Sequence, residues 1–123
     1  MLTPYSPGLV ETYEEQLLAR NAAIAEAQAA LGARYDVIQA IAYEAWGPRR
    51  DAGVKEAVLA ELHKHPLTED QLKVLLNAEE QTLRMVSVAL PYHGSLACGG
   101  PNSALDVPRG IVQAINAILG QSG

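Results

Sequence analysis

Residues Leu67–Pro91 read LTEDQLKVLLNAEEQTLRMVSVALP. Thr68 has the chemistry of a helix N-cap, and Gln71, three residues on, completes a capping box. Glu69 and Asp70 put negative charge in the first turn, where the helix dipole favours it. Pro91 supplies the stop. The span 69–90 makes roughly 33 Å of helix at about 1.5 Å per residue. Leu72, Leu75, Leu76, Leu83, Val86 and Leu90 then share one face, at about 100° per residue. Val74, Ala78, Met85, Val88 and Ala89 form a second apolar strip, leaving Lys73, Asn77, Gln81 and Arg84 as a narrow polar seam. A helix apolar around so much of its circumference belongs between other helices, so a helical bundle is expected around it.

Working outward, a helix over 52–64 presents Val54, Ala57, Val58 and Leu62 at helical spacing and ends at His65-Pro66, because the residue before proline disfavours helical backbone. A polar connection, Pro48–Asp51, leads back to a helix over 36–46 whose inward face is Val37, Ile38, Ile41, Ala42, Ala45 and Trp46. The first helix covers 9–31, with Val10, Tyr13, Leu17, Ile24, Ala27 and Leu31 recurring at three- and four-residue steps and Gly32 placed as a C-terminal cap. Residues 1–8, with two prolines and a glycine, read as an extended lead-in. Beyond Pro91, residues 92–106 form one long Gly-rich loop. A last helix over 107–119 has Pro108 in its first turn and an apolar stripe of Ile111, Val112, Ile115, Ile118 and Leu119. No segment alternates apolar and polar residues as a half-buried strand does. The expected fold is all-α: a compact single-domain bundle of about five helices over 1–123.

Composition narrows the class. A chain of 123 residues, 49% hydrophobic and 19% charged, folds around a core and is not disordered. A net charge of −5 disfavours a protein built to grip phosphate backbones. The single cysteine, Cys98, cannot close an intramolecular disulfide, and no apolar run reaches the length of a membrane span. A cytoplasmic protein with no membrane association and no cofactor is expected. His63 and His65 diverge by about 200° on a helix and cannot share a metal, so no metal site is expected either.

The informative residues are those that break the pattern. Glu79 falls within about 20° of the centre of the Leu72–Leu76–Leu83–Leu90 stripe, and Arg20 falls inside the stripe of the first helix. A buried carboxylate needs a partner or a raised pKa, and a structural ion pair between Arg20 and Glu79 is the simplest expectation. Asn77-Ala78-Glu79-Glu80 also has the form of a fresh N-cap. A break there would divide 52–90 into a helix-turn-helix-like unit with Arg49, Arg50, Lys55, Lys73 and Arg84 as phosphate contacts, although its recognition helix would open on two carboxylates. The loop around 92–100 gathers His93 and Cys98, which with Glu79 are weak catalytic candidates; no acid is placed to orient the histidine.

Three functions follow from these residues. The first is a non-enzymatic helical interaction module that self-associates, most simply as a dimer, and binds a protein partner through an apolar helix face using Leu83, Val86, Leu90, Ile115 and Leu119. The second is a DNA-binding regulator using 52–90. The third is a small enzyme or ligand-binding protein using the 92–100 loop.

Overall fold

The computed structural model describes residues 7–47, 53–89 and 105–121, with side chains defined over 12–47, 53–86 and 105–120. Among the described residues the protein is all-helical: α1 (Pro7–Leu31), α2 (Ala33–Trp46), α3 (Gly53–Lys64), α4 (Glu69–Ala89) and α5 (Asp106–Gln121). The expected Gly-rich loop lies almost wholly outside the described residues, as do residues 1–6 of the expected lead-in.

The boundaries of α1, α2, α3 and α5 differ from expectation: α3 is bounded at Gly53 and not at 52, and α5 runs through Gly120 to Gln121. α1 begins at Pro7, not Leu9, because proline's fixed φ suits a first helical position and its missing N–H is not needed there. α5 begins at Asp106, whose carboxylate sits in its first turn beside Arg109 at 3.6 Å. α2 begins at Ala33, three residues before Asp36. Only Gly32 separates it from α1, with φ +58° and ψ −135°, a backbone state that glycine adopts at no steric cost. That single residue ends α1, so Ala33, Arg34 and Tyr35 are free to form the first turn of α2.

The capping box at Thr68 forms in both directions. The Gln71 amide N–H donates to Thr68 Oγ1 at 3.1 Å, and the Thr68 N–H donates to Gln71 Oε1 at 3.0 Å. Gln71 Nε2 also donates to the Ala30 carbonyl at 3.1 Å, satisfying an acceptor in the last turn of α1. The cap therefore fixes where α4 starts and which end of α1 it meets: the two helices run antiparallel. Replacing Thr68 with alanine should cost about 1 kcal/mol of stability, read as a lower denaturant midpoint at unchanged slope.

α4 is the central rod, packed most extensively on α1 and also on α5; α2 and α5 both pack on α3. The core joins Ala23, Ala27 and Leu31 of α1, Tyr35, Ile38 and Ala42 of α2, and Val54, Val58 and Leu62 of α3. From α4 and α5 it takes Leu72, Leu75, Ala78, Val107, Ile111, Ala114 and Ile115. Small alanines on α1 and α4 let those helices approach closely. α4 runs unbroken through Asn77, so the break that would have made a helix-turn-helix unit is not formed. Leu75, Leu76 and Ala78 keep the helical phase across that point, and the Asn77 side chain accepts from Gln81 Nε2 one turn on at 3.4 Å instead of capping.

Candidate functional site

Full burial on α4 reaches a charged residue. Glu79 is 5% exposed and is the buried charged side chain among the described residues. Its place follows from helical phase: it stands seven residues after Leu72 and four after Leu75, on the strip that enters the core. Across from it, α2 contributes Tyr35 and Gln39, four residues apart and so on one helix face. Gln39 Nε2 donates to Glu79 Oε2 at 2.7 Å.

The expected Arg20–Glu79 ion pair is not among the ion pairs of the described residues. Arg20 Nη1 donates instead to the neighbouring Asn21 Oδ1 at 3.2 Å, and its buried Nε has no acceptor. Its charge reaches Glu79 through space. The arithmetic of the site explains the outcome: desolvation raises the Glu79 pKa from an ordinary 4.5 to about 7, against the lowering effects of the Gln39 hydrogen bond and of Arg20. Tyr35 is likewise pushed up, first by burial and then by the Glu79 charge. One turn before Arg20, the buried Gln16 Oε1 also lacks a donor. Glu79, Gln39, Tyr35 and Arg20 form a polar inclusion at the junction of α1, α2 and α4, holding one carboxyl that changes charge near neutrality.

Gln39 and Tyr35 were missed from sequence for one reason. With α2 started at Asp36, Tyr35 lies outside the helix and its four-residue relation to Gln39 is invisible.

The other candidates divide clearly. Ile115 is fully buried, so it is a core residue and not an interaction residue. The physical reason is that the α5 stripe turns inward onto α4 and α3. Leu119 packs partly buried against the same core. Leu83 and Val86 are half-buried, and Leu90 lies outside the described residues. Of the cationic candidates, Lys73 is paired with Glu69 at 3.2 Å on the same helix and Arg84 is exposed, while Arg49 and Arg50 lie outside the described residues. Lys55 lines an open cleft of about 310 Å³ between the first turns of α3 and α5, together with Glu56, Asp106, Arg109 and Gln113. Charges of both signs line that cleft, which does not make a phosphate surface. His93 and Cys98 lie outside the described residues. Among those described, no group of three His, Cys, Asp or Glu side chains is placed to hold a metal ion. No described helix is long and apolar enough to cross a membrane.

Arg34 makes a further long-range polar link, donating from Nη1 to the His65 carbonyl at 3.0 Å and from Nη2 to Glu61 Oε2 at 3.4 Å. It ties the start of α2 to the end of α3. Searches of protein-family models, of curated proteins and of solved structures find no match to this chain.

Proposed function

We propose that the protein is a non-enzymatic helical interaction module that pairs with a second copy of itself, and then with a protein partner, through the far half of the α1–α4 pair. One observation carries this reading. Full burial ends at Ala23 on α1 and at Glu79 on α4, and the two helices run on together beyond that point. There Tyr13 and Leu17 of α1 and Leu83, Met85 and Val86 of α4 are only half-buried. Two helices can cover one side of each other and no more. Burying the rest of such a side chain is favourable by roughly 1 kcal/mol each, so covering five of them is a sizeable drive. An identical arm matches in length and is present at equal concentration, and paired arms of this kind make a four-helix layer.

Sedimentation equilibrium across a wide concentration range tests the reading. The wild-type protein should move toward twice the monomer mass as concentration rises. Leu83→Glu and Met85→Glu should each hold it at monomer mass with helicity retained. A wild-type protein that stays at monomer mass at the highest concentration removes the proposal.

A further inference from the structure

We infer that the corner where α3 turns into α4 binds an uncharged, single-ring compound carrying one hydroxyl donor. The inference goes beyond self-association and concerns the opposite end of α4, near Leu72 and away from Leu83. Leu62 and His63 of α3, Pro66 and Leu67 of the turn, Leu72 of α4 and Ile118 of α5 line a partly enclosed pocket of about 160 Å³ there. Leu62 and Leu72 are buried, Leu67 and Ile118 are half-buried, and the exposed His63 and Pro66 form the rim. That volume lies below the range of drug-sized sites, which begins near about 300 Å³, and matches a cavity of about 150 Å³ that holds benzene in another protein. One ring fits. Four aliphatic side chains make the walls, so a charged ligand would give up its hydration for no permanently charged partner.

One carbonyl calls for the hydroxyl. The last carbonyls of a helix take their donors from beyond its end or from water. At this corner the Glu61 carbonyl accepts from the His65 N–H at 2.9 Å, and the His65 carbonyl accepts from Arg34 Nη1 at 3.0 Å. The Leu62 carbonyl would take the next amide along, that of residue 66, but Pro66 has no N–H. No other described group donates to it. His63 and Lys64 are exposed, and water serves their carbonyls. Leu62 is 2% exposed, so bulk water does not supply what the proline removes. A buried acceptor without a donor is rare and costly. Leu62 and Pro66 both line the pocket, so a ligand seated there lies against the residue that lacks a donor. The ring buries against Leu67, Leu72 and Ile118 while its hydroxyl donates to Leu62. Apolar walls with one placed polar group are what orient a small ligand.

The experiment is an NMR titration of the full chain with phenol and with toluene, which differ by a hydroxyl against a methyl. Both should give saturable shifts confined to the methyl groups of Leu62, Leu67, Leu72 and Ile118. In a pocket with no acceptor, toluene binds and phenol hardly does, since burying an unpaired hydroxyl forfeits its hydrogen bond to water. Here phenol should bind at least as tightly as toluene, and benzoate should not compete. Pro66→Ala restores an N–H for the Leu62 carbonyl from an exposed rim position. It should weaken phenol about tenfold and leave toluene within about twofold of the wild-type protein. Ile118→Trp fills the pocket and should abolish both. The site is overturned if the shifts fail to saturate or fall on other residues, or if the Ile118→Trp chain still binds both ligands. The role of the Leu62 carbonyl is overturned if toluene binds far better than phenol, or if Pro66→Ala affects the two alike.

Discussion

At pH 8, Glu79→Gln is expected to unfold at a higher denaturant concentration than the wild-type protein, by about 2 kcal/mol. The carboxyl is raised from 4.5 in the unfolded chain to about 7 in the folded one. The folded state therefore binds more protons than the unfolded state between those values, and stability falls as pH rises through that window. Below about 4.5 the favourable contribution of the protonated, buried acid is complete; above about 7 it is lost. At 1.36 kcal/mol per pH unit the total is about 3 kcal/mol, with little solvent screening to discount at 5% exposure. Glutamine keeps the acceptor that Gln39 needs, but its own amide N–H groups enter a site with few acceptors, which costs about 1 kcal/mol. At pH 5 the variant and wild type should differ much less, and the variant should lose most of the wild-type decline between these conditions. Chemical denaturation at the two pH values checks it; equal pH slopes in the two proteins would contradict the assignment.

Gly110→Ala is expected to destabilise the protein by about 3 kcal/mol, the upper end of what overpacking costs. Gly110 is buried where α5 crosses the start of α3. A Cβ placed on it would lie 2.5 Å from Val54 Cγ1 and 2.6 Å from Val54 Cβ, with the Lys55 amide nitrogen at 3.3 Å. The obstruction is not the far end of a flexible side chain, so α3 must move away from α5. Val58 and Ile111, both fully buried, then lose contacts as well. Val54→Ala in the same chain removes the Cγ atoms but leaves the Cβ overlap, so it should restore only part of the loss. Thermal unfolding of the two single variants and the double variant gives the coupling, which is expected to be clearly non-additive.

The Gly110 prediction turns on a helix-to-helix distance, and that marks the limit of what could be read in advance. The identity of α4 was legible residue by residue. Thr68 and Gln71 announce its start, and Leu72, Leu75 and Ala78 announce its buried strip; the helix forms as those residues require. The burial of Glu79 was legible too, since helical phase alone puts it among leucines. Its partner was not. Arg20 is the nearest opposite charge by pattern, yet pattern says nothing of the rotation of α1 about its axis, and the chain satisfies Glu79 with an amide from α2 instead. Val37 was expected inside and is 40% exposed, because the inner face of α2 is the strip of Tyr35, Ile38 and Ala42, and Val37 stands about 100° round the helix from Ile38.

The order of apolar and polar side chains by itself determined that this chain is helical, where its central rod begins, and that a carboxyl lies on the oily side of that rod. These are consequences of 3.6-residue periodicity and of hydrogen bonds within one turn, which involve only near neighbours in the chain. Only the tertiary structure decided that Ile115 is core, that Gly110 must remain glycine, and that the carboxyl meets Gln39 and not Arg20. Those outcomes depend on how far apart two helices settle and how each is rotated, quantities set by the packing of all five described helices at once.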